Sequence, residues 1–352
     1  MIKIKLFFAL LLISGLIISG CSKDENPVNQ DNTYVLESIL KGYTDNVVIA
    51  TYLDLKNKTL ALQNACDSIM NDPTQSNLIA AGEAWKAARQ PWESSEGFLF
   101  GPVSYLGKDP SMDTWPLDEG QLNNVIESDF ELSPDFVRNG LGESLRGYHA
   151  LEYLLFENGQ PRDVSALNER RREYLLSVSV VLAEDAEIVY DAWISGFGDE
   201  FKNAGNTGSR YSSQTQAVFE IIDAMSAIAD EVGNGKIGTP FGTSNTSEVE
   251  SQFSWNSLID FSNNIRSIRN AYLGEYGTET SGVGLDEFIK SKDEELNSKV
   301  LNEIDATITA INAIPAPFRN NLNANLQIQA AIDACNILFA TLHNDVRAVV
   351  TD

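Results

Sequence analysis

Apolar positions recur along most of this chain at spacings of three and four, the period of amphipathic helices, while strand-type alternation is scarce and β-branched runs are short. Helical patterning runs from Tyr34 to Met70, with an irregularity expected near Gly42–Asn46, and Asp72-Pro73 stops it. A second helix is predicted from Gln75 to about Arg89, where Pro91 kinks or restarts it. Gly101-Pro102 to Trp115-Pro116 reads as a loop, long enough to be functional rather than a simple connector. Short helices follow at Glu119–Ser128 and Ser133–Asn139, then a central helix over Ser144–Phe156 and a long amphipathic one over Ser165–Ser195.

The stretch Asp199–Ser213 is rich in Gly, Asn and Ser and marks a domain boundary. Beyond it Gln214–Val232 is helical, and Gly233–Thr246 is a glycine-rich loop that lacks the context of a phosphate loop. Ser247 with Glu250 has the spacing of a capping box for the next helix. That helix carries a core seam of Leu258, Phe261, Ile265, Ile268 and Tyr272 beside a polar stripe of Asp260, Asn264 and Ser267. After a loop at Gly274–Gly284 come Leu285–Ile289, Lys292–Ile314 and Asn321–Val350. The layout predicts an all-α protein of two helical-bundle domains, 34–205 and 206–352, of comparable size. It suggests a duplicated four-helix-bundle-like unit, although no residue-level repeat supports one.

Within Ser144–Phe156, helical geometry puts Leu145, His149, Glu152 and Phe156 on one stripe, in a segment that is apolar on most sides. A helix of that kind is buried, so a histidine and a carboxylate three residues apart enter a dry interior. Glu152 there needs a partner, a metal or a proton. Gly147, placed mid-helix by this reading, implies that another backbone passes close by. A second polar stripe lies in Ala84–Pro102: if helical geometry survives Pro91, Trp85, Arg89, Trp92 and Glu96 share a face. Guanidinium suits both an indole face and a carboxylate.

Composition changes the picture at the N-terminus and at the surface. Lys3 and Lys5 precede an apolar run from Leu6 to Ile18, followed by Ser19-Gly20-Cys21, so residues 1–20 read as a secretory signal. Cysteine after the small residues resembles a bacterial lipobox, which implies cleavage before Cys21 and lipidation of its thiol. Residues 21–33 read as a polar tether, and Ser22-Lys23-Asp24-Glu25 resembles an export tag of some Gram-negative lipoproteins. An outer-membrane lipoprotein is expected, on the cell surface or the periplasmic face. The formal net charge of −25 argues against nucleic acid and against electrostatic adhesion to anionic lipid. Membrane attachment is then left to the acyl chains at Cys21. Cys66 and Cys335 both lie on apolar stripes; an oxidising compartment would allow a disulfide, but no spacing pattern constrains them and two buried free thiols are the favoured reading.

The segment from Trp85 through Arg89, Trp92, Glu93 and Glu96 to Gly101-Pro102, followed by Gly147-Tyr148-His149-Ala150-Leu151-Glu152, resembles the imelysin family, the M75 peptidase-like group with its Gly-x-His-x-x-Glu signature. Ser254-Trp255 through Tyr272-Leu273-Gly274 is similar to the family's second half. The resemblance implies an all-helical fold in two bundle-like halves, with the signature facing the groove between them, and a link to iron uptake.

On the chemistry, His149 and Glu152 can be two ligands on one helix face, with Glu93 and Glu96 completing a shell suited to iron or another divalent metal such as zinc. Trp85, Arg89, Trp92, Gly147 and Tyr148 would surround them. The alternative is a buried polar network in which His149, Glu152 and Arg89 satisfy one another. The family name raises a metallopeptidase as a rival function, but the chain has no His-Glu-x-x-His and no readable triad. A third reading is a non-catalytic module that partners an outer-membrane transporter. His343, the other histidine, reads as structural.

Overall fold

The structure, a computed structural model, describes residues 30–277 and 283–351, with the backbone alone for residues 30–34. The signal peptide and Cys21 lie outside the described residues, as does most of the tether. Among the described residues no helix is long and apolar enough to cross a membrane.

The described residues are helical nearly throughout. In order, α1 (Gln30–Gly42), α2 (Ala50–Asn71), α3 (Gln75–Glu93), α4 (Pro102–Tyr105), α5 (Lys108–Asp113), α6 (Glu119–Glu127), α7 (Pro134–Gly140) and α8 (Gly147–Leu155) lead to a small hairpin, β1 (Phe156–Glu157) and β2 (Gln160–Pro161). Then follow α9 (Glu169–Ala192), α10 (Gly198–Lys202), α11 (Gln214–Asp230), α12 (Gly238–Thr243), α13 (Ser257–Leu273), α14 (Leu285–Lys292), α15 (Glu294–Asn312), α16 (Asn325–Ala340) and α17 (Arg347–Thr351). In the first half α2 packs on α3 and α9, and α8 on α3 and α9; in the second, α11, α13, α15 and α16 pack together. Helices also cross the expected boundary, since α1 lies on α11 and α3 lies on α13. The buried apolar residues of both halves consequently join in one core.

The irregularity expected near Gly42 is a π-helical stretch, Tyr43–Ile49, that carries α1 into α2 without a break. Thr74 caps α3 by accepting from the Asn77 amide, and the helix passes through Pro91 to Glu93. Pro91 forfeits a backbone hydrogen bond, yet Trp92 and Glu93 are both buried, and their contacts hold the last turn in place. Cys66 and Cys335 are buried free thiols, and burial pushes both up to about 12.

Four local expectations are corrected. The helix read over Ser144–Phe156 begins only at Gly147: Glu143–Leu145 is a 3-10 turn, Arg146 is extended and Gly147 has φ +76°. Gly147 is therefore an entry turn, not a mid-helix glycine. The close backbone it implied is there, because a Cβ on it would lie 2.2 Å from the carbonyl oxygen of Met112. The stretch 101–116 is not a plain loop but folds into α4 and α5. Gly233–Thr246 is not a loop either: it continues α11 as a π-helical stretch, Glu231–Ile237, and then α12. Gly233 serves packing, since a Cβ on it would meet the Cβ of Cys335 at 2.7 Å where α16 crosses. Finally, Ser247 and Glu250 form no capping box. Asn245 caps a 3-10 turn at Thr246–Glu248, and Glu250 is fully buried elsewhere.

Candidate functional site

Six segments converge on one buried cluster of charge at the seam between the two halves. Helix α3 and the turn after it bring Arg89, Trp92, Glu93 and Glu96; α5 ends on Asp113; α8 brings His149 and Glu152. From the second half, the π-helical stretch carries Lys236, the segment before α13 carries Glu250, and α13 carries Asp260 and Asn264. All of these side chains are buried.

Arg89 stands at the centre. Its guanidinium pairs with Glu93 and Asp113, donates to Oε1 of Glu250 at 2.8 Å and lies 3.6 Å from Oδ2 of Asp260. The ring of Tyr148 lies 5.0 Å from the guanidinium carbon and that of Trp85 lies 5.9 Å away. Those rings are fixed in turn: Trp85 Nε1 donates to the Tyr148 carbonyl at 2.9 Å, and the Tyr148 hydroxyl donates to the Ala88 carbonyl at 3.0 Å. Trp92 Nε1 donates to Oδ2 of Asp113 at 2.6 Å. The ammonium of Lys236 lies 3.0 Å from Oε2 of Glu96 and 3.0 Å from Oε2 of Glu250, with the Trp115 ring 5.0 Å away. Asn264 donates to Oε2 of Glu93 at 2.6 Å.

His149 and Glu152 lie side by side, with Nδ1 of the imidazole 3.1 Å from Oε2 of Glu152. The other oxygen of Glu152 accepts from the amides of Phe253 and Ser254 at 2.9 and 2.8 Å and from the Ser254 hydroxyl at 2.7 Å. Three donors from the second half thus hold this carboxylate, which in turn orients the ring. Nε2 faces Oδ1 of Asp113 at 3.2 Å and Oε1 of Glu250 at 3.9 Å, without an aligned hydrogen bond.

The charges do not balance. Glu93, Glu96, Asp113, Glu152, Glu250 and Asp260 face two permanent cations, Arg89 and Lys236, with His149 as a third if protonated. Burial pulls the imidazole down, but the carboxylates of Asp113 beside Nε2 and Glu152 on Nδ1 outweigh that and push it up to about 10. Burial would raise Asp113; Arg89 and His149 overcome it and hold this carboxyl well below its usual range. Burial wins at Glu93 and Glu96, which rise despite Arg89 and Lys236, and at Asp260, pushed up to about 6 despite Arg89. In the absence of a further cation, protons make up part of the deficit.

Among the described residues two groups of donors lie close enough to hold an ion: Asp113, His149 and Glu250, and Glu93, Glu96, Asp113 and Glu250, each with ligand atoms within 4.8 Å of one another. Of the residues singled out in the sequence, His149, Glu93 and Glu96 fall in these groups. Glu152 is turned to Nδ1 and the backbone, Arg89, Trp85, Trp92 and Tyr148 surround the cluster, and Gly147 seats α8 against α5. Sequence reasoning missed Asp113, Lys236 and Glu250. Asp113 and Lys236 lay in segments read as loops, and Glu250 was assigned to a cap. Asp260 and Asn264 were visible as a polar stripe on a core helix of the second half.

Comparison with known proteins bears on the family and the fold. The chain is 28% identical over 313 residues to iron-regulated protein A of Synechococcus elongatus, covering 88% of this chain and 84% of that protein. It superposes with a TM-score of 0.84 and 31% identity on a crystal structure described as an iron-regulated protein A precursor from Parabacteroides distasonis, covering 90% of this chain and 95% of that one. An imelysin-like protein from Psychrobacter arcticus, at 14% identity and a TM-score of 0.73 over 91% and 96% of the two chains, shares the fold. The sequence model of imelysin (peptidase M75) matches residues 48–344, and the chain belongs to the imelysin family.

Proposed function

We propose that this protein is a cell-envelope binding protein of iron acquisition that takes up a metal cation at Asp113, His149 and Glu250. The observation that carries the reading is the excess of buried carboxylate over fixed positive charge around an imidazole nitrogen that lacks an aligned partner. Arg89 and Lys236 are shared among Glu93, Glu96, Asp113 and Glu250, and Nε2 of His149 faces the last two of these. One imidazole and two carboxylates form a mixed nitrogen–oxygen set that suits an intermediate ion such as iron(II) or zinc. Glu152 on Nδ1 fits as well, because a metal-ligating histidine usually gives its other ring N–H to a carboxylate. An ion there would supply the missing positive charge and displace protons from the cluster.

Iron as the cargo is supported by family membership and by relatives that carry the name iron-regulated protein A. The same reading places the body at the outer membrane, held by acyl chains on Cys21 and passing its cargo to a transport partner. Anaerobic titration with iron(II), followed by calorimetry and elemental analysis, tests the site. Wild type should bind with release of protons, and His149→Ala and Asp113→Asn should each bind at least about tenfold more weakly, as loss of one ligand demands. Equal iron content in all three proteins would overturn the proposal.

A further inference from the structure

Asp113 and Glu250 belong to both donor groups, with His149 in one and with Glu93 and Glu96 in the other. Two cation positions sharing two carboxylates have the layout of a dinuclear centre, in which paired ions sit ~3.5–4 Å apart. In this protein the second position is already filled by the chain. The Lys236 ammonium lies 3.0 Å from Glu96, 3.0 Å from Glu250 and 3.9 Å from Glu93, and its side chain is fully buried.

We propose that Lys236 is the resident cation of the Glu93–Glu96–Asp113–Glu250 position and limits the centre to one metal ion. The inference rests on the metal-binding reading above and fixes the stoichiometry of that site. A lysine that merely neutralised one acid would need a single partner. This one reaches three carboxylates that are themselves within ligand distance of each other, so its nitrogen stands where an ion would. An ammonium is a compact point charge; here it donates to Glu96 and Glu250, with Glu93 held by charge alone at 3.9 Å. It adds a single positive charge, and that charge repels a divalent ion brought to the same place. The stem comes from the π-helical stretch Glu231–Ile237, seated against α16 through Gly233, so the nitrogen is delivered by a packed element.

The test is equilibrium dialysis against manganese(II), with electron paramagnetic resonance on the loaded protein. Wild type and Lys236→Arg should bind one ion per chain, with an uncoupled signal. Lys236→Ala should bind two, with the exchange-coupled signal of neighbouring ions. Because removing the lysine leaves buried carboxylates unpaired, the double variant Lys236→Ala/Glu93→Gln keeps the charge balance; it should also bind two through Glu96, Asp113 and Glu250. A single ion in both folded lysine variants, or two in wild type, would overturn the inference while leaving the metal site standing. No ion in wild type and one in Lys236→Ala would overturn the metal-binding reading yet support the lysine as a placeholder. No ion in any of the proteins would overturn both.

Discussion

Arg89 on α3 donates to Glu250 at 2.8 Å across the seam, an ion pair between residues that are both fully buried. The same guanidinium also serves Glu93 and Asp113. Removing it takes the guanidinium from three buried carboxylates at once, and breaking a buried pair costs about 3–5 kcal/mol. Arg89→Ala is therefore expected to lower the free energy of urea unfolding by at least that range. Arg89→Lys should recover only part of it, because an ammonium cannot reproduce the planar fork. A loss below ~1 kcal/mol would mean that the cluster draws little from its central cation.

His149 makes stability depend on pH with a definite sign. Its folded value of about 10 lies above the ordinary 6.5, so protonation favours the fold. That contribution is fully present below pH 6.5, declines as pH rises and is gone above about 10. The urea midpoint of metal-free wild type should fall relative to His149→Ala over this interval. A difference that stayed constant from pH 6 to 10 would show that the imidazole does not gain a proton in the folded state.

Gly147 holds α8 against the end of α5, with φ at +76° and the Met112 carbonyl where a Cβ would go. An L-residue in that conformation costs ~1–2 kcal/mol before any clash. Gly147→Ala adds a contact at 2.2 Å with backbone, so Met112 and the neighbouring Asp113 must shift. We expect a loss of stability above 2 kcal/mol in urea unfolding, together with weakened metal binding. Retention of both would place the functional weight away from the α5–α8 contact.

Glu152 accepts from two amides and a hydroxyl while holding Nδ1 of His149. Glu152→Gln keeps the shape but loses the anion that orients the ring. By analogy with partners of metal-bound histidines, metal affinity should drop by roughly 10–100-fold. The imidazole of the metal-free protein should also titrate at lower pH, which NMR can follow. An unchanged titration would show that Asp113 alone sets the histidine.

Periodicity and composition along the chain determined that it would be helical, where most helices would run and which of them would be buried. The stripe of His149 and Glu152, the stripe of Trp85, Arg89, Trp92 and Glu96, and the polar edge of α13 were all legible, because helical spacing alone puts such residues on one face. Spacing says nothing about what meets that face. Asp113, Lys236 and Glu250 join the cluster from segments whose prolines, glycines and capping residues read locally as loops and turns. The packing of α5 on Gly147 and of α16 on Gly233 decides otherwise. Local signals report the preferences of a few neighbouring residues, whereas the balance of charge in a dry seam depends on which distant segments are brought together, and that only the tertiary structure decides.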